Sequence, residues 1–468
     1  MALRRVLIVE SDASEAAALA RTLSDTDWTI LWARDGHHAL SLMHPVPPEV
    51  IFLALWLPSM DGLETLQMLR GMGVESPVVM LSGHGTIAAA VKAIQLGACT
   101  FLEKPVGRER LRQALQQAMP HSRSLLIPPD VLGHSVQDHP RLGGTPVSPK
   151  LPASLSGARP PAVARRGRTS RTFRSPPPTS KQKTLGRSVV LKGQGLQTGQ
   201  KIGMILTPLP PQSGVVFCDL ITRTTIPALV QYVDSTDLST NLRRQGTVVR
   251  TVEHLLSVLH AYGLTNLRIK VCGEVPILDG SARDLCRVIE EAGVVEQEAA
   301  VEEFIVDRCY RIGDETLAGK SLLVEPYDGF KITYRLAYPP PLGVQLVSYE
   351  HRDGVGYRQA IAPARTFAFL QDVERLHDLG LMAGGRLNNV VLLDAGRVLN
   401  HTRLRFPDEC ARHKVLDIMG DFYLLGKPLR GHILANMTGH AENIALVAQL
   451  WEATRTHNPA AGRKEMPS

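Results

Sequence analysis

The stretch ARHKVLDIMGD, residues 411–421, places His413, Asp417 and Asp421 four residues apart among the apolar Val415, Leu416, Ile418 and Met419. Side chains at i and i+4 stack on one face of a helix, about one turn apart. The spacing therefore predicts a half-buried helix that carries an imidazole directly beside a carboxylate. A second polar pair, Glu253 and His254, interrupts the apolar run TVEHLLSVLHAYGL. Two histidines and one carboxylate are a sufficient shell for a catalytic divalent metal, with a fourth position open to water. The ligands would come from segments far apart in the chain, unlike the single helix of an HExxH site. The same i,i+4 His/Asp spacing also describes an exposed ion pair, and spacing alone does not choose between the two.

The elements that must position these residues are readable from periodicity. From about Lys181 to about Thr454 the pattern is an α+β mixture. GRSVVLKGQGLQTGQKIGMILTPLP reads as two strands around a Gly-rich turn, and TVVRTVEHLLSVLHAYGL as a helix with Thr251 as its cap. NLRIKVCG reads as a strand and DGSARDLCRVIEEAGV as a helix. A second set follows, with EFIVDRCYRIG, SLLVEPYD and FKITYRLAY as strands and FLQDVERLHDLGL and RHKVLDIMGDFYLLG as helices. Residues 3–118 instead alternate short apolar runs (RVLIVE, EVIFLAL, SPVVMLSG) with amphipathic stretches (ASEAAALARTLS, DGLETLQMLRGM, TIAAAVKAIQLG). That alternation predicts a doubly wound α/β domain around a parallel sheet. The expected divisions are a first domain at 1–120, a linker at 121–180, two subdomains at 181–300 and 301–455, and a tail at 456–468.

With 44% hydrophobic and 21% charged residues, the 468-residue chain has the composition of a globular protein with more than one core. No run reaches the ~18 uncharged apolar residues of a membrane helix. The start, MALRRVLIVESD, has too short an apolar run and ends in acids, so it reads as a first buried strand rather than a signal peptide. A cytoplasmic location is expected. Six cysteines without a CxxC pair suit reduced thiols better than a disulfide framework or a cysteine zinc site. The net charge of +7 is local: eleven of the 52 Lys and Arg residues, and no Asp or Glu, lie between His139 and Arg187. That Pro-, Ser- and Arg-rich segment cannot repay the entropy of ordering and predicts a disordered tether. Its charge would permit a weak contact with anionic lipid, and it offers no basis for specific nucleic-acid recognition.

In the order VLIVESD, LPSMDGLE, LSGHGT and FLEKP, the first domain resembles a response-regulator receiver over essentially its whole length. The resemblance implies a flavodoxin-like fold, phosphate uptake on an Asp ending the third strand, and magnesium held by acids ending the first. FLALWLPSMDG instead puts Ala54 at the acceptor position, and the acidic pair falls on Glu10 and Ser11. Asp61 belongs to the following turn, while Ser82 and Lys104 match the family's hydroxyl and lysine. An alanine methyl cannot be a nucleophile. The expectation is a receiver fold without phosphotransfer, acting through a protein partner or by self-association.

The blocks TVEHLLSVLHAYGLTNL, EVPILDGSA, ARTFAFL, LGLMAGGRLNNVVLLD, VLN…LRF, RHKVLDIMGDFYLLG and TGHAENI follow one another in residues 181–454. Together they closely resemble the UDP-3-O-acyl-N-acetylglucosamine deacetylase family, the zinc enzymes committing bacteria to lipid A synthesis. The resemblance implies two β-α-α-β layers with one catalytic Zn²⁺ between them, held by His254, His413 and Asp417. It implies Glu253 as general base toward water, and His440 as general acid toward the leaving amine with Asp421 orienting it. Thr366 and Lys414 would meet the charge developing on the acetamide oxygen. His260 and His432 match none of these roles. The implied substrate is UDP-3-O-(3-hydroxyacyl)-N-acetylglucosamine, whose acyl chain would bring a cytoplasmic enzyme to the periphery of the inner membrane.

Two positions depart from the family pattern. The Gly-rich turn reads GLQTG, with Gln197 where the family has a histidine, so that hydrogen bonding is kept but charge is not. GGRLNN places Arg386 where a small residue is usual, and a long cation there would narrow the acyl passage or reach its mouth. A receiver without its nucleophile also suggests the rival reading, a non-catalytic sensor that binds the nucleotide lipid on a deacetylase-like fold. The intact set of metal and proton-transfer candidates favours the enzyme.

Overall fold

The computed structural model describes residues 4–118 and 180–457, except 24–27, 45, 84, 314–318, 341, 379–380, 395–396 and 401–402. The linker expected at 121–180 and the tail at 456–468 lie, apart from their edges, outside the described residues.

The N-terminal domain runs β1 (Arg4–Val9), α1 (Ala13–Leu23), β2 (Trp28–Ala33), α2 (Gly36–Ser41), β3 (Val50–Ala54), α3 (Gly62–Gly71), β4 (Val78–Ser82), α4 (Ile87–Gln95), β5 (Thr100–Glu103) and α5 (Arg108–Ala118). Its sheet has the order β2-β1-β3-β4-β5 with every neighbour parallel. Leu7 and Val9 of β1 enter one apolar cluster while Val6 and Ile8 enter another on the opposite face. Burial on both faces is what a parallel sheet with helices on either side requires, and it explains the unbroken apolar runs. Asp61 caps α3, accepting from the Glu64 N–H at 2.8 Å while Glu64 returns a bond to the Asp61 N–H. At the carboxyl edge of the sheet, Lys104 pairs with both Glu10 and Glu15. The cation that would meet a phosphoryl group is thus neutralised by the domain's own acids.

The C-terminal part contains two β/α halves. In the first, a sheet joins Thr225–Pro227, Val215–Asp219, Leu267–Val271, Lys201–Pro208 and Val189–Gln194 in that order. The predicted Gly-rich hairpin is present, Val190 pairing antiparallel with Ile205. This half carries α6 (Glu253–Tyr262) and α7 (Arg283–Ala292). In the second, Tyr310–Gly313, Ser321–Glu325, Leu429–Asn436, Phe330–Ala337 and Val344–His351 form the sheet. Its helices are α8 (Gly354–Ala360), α9 (Leu370–Asp378), α10 (Glu409–Tyr423) and α11 (His440–His457). A short three-stranded sheet, Phe367–Phe369 with Val391–Asp394 and Arg397–Val398, lies between α8 and α10 in the chain. One continuous apolar core draws on both halves, with Leu255 and Val258 of α6 in it beside Val415 and Ile418 of α10. Among the described residues no helix is long and apolar enough to cross a membrane.

His260 and His351 are part of this packing, their ring centroids 6.3 Å apart with Phe330 stacked on His260 at 4.7 Å. Burial lowers both, His351 from 6.5 to about 4. The unfolded chain therefore takes up these protons first as pH falls. The stability they permit is complete above pH 6.5 and is lost as pH falls below it, for His351 between 6.5 and about 4 and by ~3 kcal/mol. Thermal unfolding followed from pH 7 to pH 4 should fall less steeply for H351Q than for the parent chain.

Candidate active site

α6 and α10 meet closely enough that a Cβ on Gly420 would stand 2.1 Å from the Glu253 carbonyl oxygen. Only glycine fits there, and the contact brings the first turn of α6 against the last turn of α10. α10 departs from the half-buried pattern expected of it. In α6 every residue from Glu253 to Leu259 is buried, and α10 is buried around its circumference from Val415 to Phe422. His413 and Asp417 are each only 2% exposed, which removes the exposed ion pair as an explanation of their spacing. Thr251 does not cap α6: its φ of 58° is left-handed, the N-cap is Val252, and its hydroxyl donates to Glu274 at 3.3 Å.

His254, His413 and Asp417 converge so that one ligand atom from each lies within 4.8 Å of the others. The rings of His254 and His413 meet edge to face at 5.1 Å. His413 Nδ1 lies 3.0 Å from the Ala364 carbonyl, which assigns its proton there and leaves Nε2 a free lone pair 3.5 Å from Asp417 Oδ1. His254 Nδ1 is buried with no hydrogen-bond partner. A buried, unpartnered imidazole nitrogen beside a second imidazole lone pair and a carboxylate is the donor set of one divalent metal site. These residues fit such an ion.

The other expected residues surround the cluster. Glu253 Oε2 accepts from the Thr240 N–H at 3.0 Å, while Oε1 lies 4.0 Å from His440 Nε2. His440 Nε2 is also 4.0 Å from Asp417 Oδ2, and its Nδ1 donates to Asp421 Oδ2 at 2.8 Å. Lys414 Nζ donates to Asp417 Oδ2 at 2.9 Å and lies 5.5 Å from the centre of the Phe367 ring. Thr366 precedes that ring, its N–H donating to the Gly280 carbonyl at 2.8 Å. Phe367 itself stands 6.4 Å from the His413 ring. Two residues escaped sequence reasoning. The Thr240 hydroxyl donates to Asp421 Oδ1 at 2.6 Å, and Asn443 donates to Asp421 Oδ2 at 2.8 Å. Asn443 follows His440 by one helical turn, a spacing that could have found it; Thr240 carries no local signal.

Burial raises Glu253 to about 8, opposed by His440 and reinforced by Asp421 and Asp417. Burial works against the charged form of His440 too, yet Asp421 and Asp417 lift it to about 9. Burial, then the neighbouring His413, push His254 down to about 3, and burial also lowers His413. Lys414 and His413 overcome the cost of burial and hold Asp417 well below the usual carboxylate range. The outcome is two neutral imidazoles, an ionised carboxylate, a base that can hold or release a proton near neutrality, and a cationic histidine facing it.

The sequence matches the UDP-3-O-acyl N-acetylglycosamine deacetylase family over residues 182–452, which is more than half of the chain. The chain belongs to that family. It carries in addition a response regulator receiver domain, matched over residues 6–116. The UDP-3-O-acyl-N-acetylglucosamine deacetylase of Myxococcus xanthus is 41% identical over 278 residues, 58% of this chain and 87% of that protein. The protein of the same name from Coxiella burnetii is 39% identical over 291 residues, 60% of this chain and 95% of that one. A receiver domain of NtrX from Brucella abortus is 36% identical over 25% of this chain and 98% of its own, with a TM-score of 0.24.

Several deacetylase-family blocks brace the site. Asp279 of ILDGS receives Arg405 of LRF at 2.8 Å. The wholly buried Glu274 folds the Gly-rich turn, accepting from the Gln197 and Thr198 N–H groups at 2.7 and 3.0 Å. Gln197 is buried, and its Oε1 accepts from the Met382 N–H at 3.2 Å. Arg386 donates from its guanidinium to the carbonyls of Ala383 and Gly385 in its own loop.

Proposed function

We propose that the chain is a Zn²⁺-dependent deacetylase that removes acetate from UDP-3-O-(3-hydroxyacyl)-N-acetylglucosamine, the committed step of lipid A synthesis. The observation that carries this reading is the convergence of His254, His413 and Asp417 within 4.8 Å, with Glu253 and His440 facing each other 4.0 Å apart beside them. When bound, the ion acidifies water and polarises a carbonyl oxygen. Glu253, fixed by the Thr240 N–H, takes the proton as water oxygen bonds to the acetamide carbon. His440, kept charged by Asp421, gives its proton to the departing nitrogen as the C–N bond breaks. Acetate and a free sugar amine result. Lys414 and Thr366 are assigned to the negative charge that builds on the carbonyl oxygen.

The acyl chain of this substrate asks for apolar surface, and the half-buried rings of Tyr338, Phe367 and Phe369 supply it, with centroids 5.0–6.3 Å apart beside His413. The two β/α halves are read as the family's paired β-α-α-β layers, with α6 and α10 at their junction. An enzyme handling such a lipid would work at the inner face of the inner membrane, and the basic linker suits a weak contact with its anionic lipids.

The test is acetate release from the acylated UDP-sugar by the full-length chain, with metal content measured in parallel. Turnover should vanish with chelator and return with Zn²⁺, and His413→Ala should lose both metal and turnover. A folded, metal-loaded chain that releases no acetate would refute the reading.

A further inference from the structure

The receiver and the deacetylase share an apolar cluster built from α4. Ile87 and Val91, at i and i+4 on α4, are each 1% exposed and pack with Leu196, Ile277, Ala368, Val373, Val390 and Leu392 of the deacetylase. An adjoining side of the same helix, with Ala90 and Ala93, enters the receiver's own core. One helix therefore divides its side chains between two domains, as the three- and four-residue spacing permits. The backbones join as well. Thr86, the N-cap of α4, forms an antiparallel bridge with Arg386, and the Ile87 N–H donates to the Gly385 carbonyl at 3.1 Å. Asn388 adds a 3.3 Å bond to Glu103.

What α4 touches leads to the catalytic cluster by alternation along one strand. Residues two apart on a strand share a face and neighbours oppose. In Phe367–Phe369, Ala368 faces Ile87 and Val91, while Phe367 turns to His413, 6.4 Å away, and to Lys414. Val390 and Leu392 sit on the receiver side of the neighbouring strand, whose Val391 N–H donates to the Thr366 carbonyl at 2.8 Å. The loop between α9 and this strand is also held by Gln197 and Leu196, which accept from the Met382, Ala383 and Gly384 N–H groups.

We propose that the receiver is a permanently engaged, phosphate-independent support of the deacetylase, in which α4 positions strand Phe367–Phe369 and the 382–390 loop against the metal cluster. Ile87 and Val91 are then positioning residues acting through Ala368, Val390 and Leu392. Ala54 removes the phosphate acceptor, and the engagement of Lys104 by Glu10 and Glu15 removes its partner, so the docked state has no switch within the domain. The effect on turnover rests on the proposed function; the structural coupling does not.

The test uses the full-length chain and amide hydrogen exchange, read without substrate. I87D/V91D should speed exchange about tenfold or more in 366–369 and 382–393, and I87A/V91A should do so to a smaller extent while keeping the receiver's fold. R112E, on an exposed position of α5, should change nothing. With substrate, kcat/KM should fall about tenfold, chiefly through KM, at unchanged metal content. Acetyl phosphate with Mg²⁺ should leave exchange in the parent chain unaltered. Unchanged exchange in the alanine pair, or a response to acetyl phosphate, would overturn the proposal. Absence of acetate release from the parent chain would count against the proposed function alone, since the exchange measurement stands without it.

Discussion

Glu253→Gln should leave metal content and folding intact while lowering acetate release by about 10²–10⁴-fold, the usual range for loss of a general base. The amide keeps the shape of the carboxylate and can still accept from the Thr240 N–H, which holds Oε2 at 3.0 Å. What it loses is basicity. A carboxyl group poised at about 8 is a strong base for its kind when ionised, and no other described group at the site is placed to replace it: Asp417 is held acidic by Lys414, and Asp421 is taken up by His440, Thr240 and Asn443. The check is steady-state acetate release beside metal analysis of the purified variant. Activity within tenfold of the parent would assign the proton transfer elsewhere.

Arg365→Met should cost about 3–5 kcal/mol of stability, the range for stranding one member of a buried ion pair. Arg365 is 3% exposed and Glu409 fully buried, joined by two bonds of 2.8 and 3.1 Å. Glu409 also accepts from the Arg365 and Arg405 N–H groups at 3.0 and 2.6 Å, so its carboxylate cannot relocate when the guanidinium goes. It opens α10, where a negative charge suits the helix N-terminus, and four residues later the helix reaches His413. The double change R365M/E409M should recover part of the loss: paired apolar side chains substitute for a buried ion pair at little net cost, but the Arg365 and Arg405 N–H groups lose their acceptor. Denaturant unfolding of the three variants decides it; a double mutant whose loss equals the sum of the two single losses would show that the pair is not coupled.

The parts of the site carried by local spacing were legible in the sequence, and those made by distant segments were not. His413 and Asp417 stack because a helix makes i and i+4 neighbours, and the structure brings His254 to them. The polar residues 413, 414, 417 and 421 gave α10 an amphipathic look, yet His413 and everything from Val415 to Phe422 is buried, because the charges satisfy one another instead of meeting water. Thr240 joins Asp421 across 181 positions, and Arg365 joins Glu409 across 44; no periodicity encodes either. The fold of the first domain was legible because a parallel sheet buries both faces, leaving unbroken apolar runs. That one side of α4 faces another domain was invisible, since Ile87 and Val91 look like any buried pair.

The ion pairs of Lys104 bear on how this gene can drift. One codon change at position 54 would return a carboxylate to the end of β3, but the lysine would still be occupied by Glu10 and Glu15, and Ser11 would still stand where a second acid belongs. If α4 supports the deacetylase as proposed, substitutions that suit the domain to its neighbour can accumulate unopposed, and the receiver is inherited as architecture.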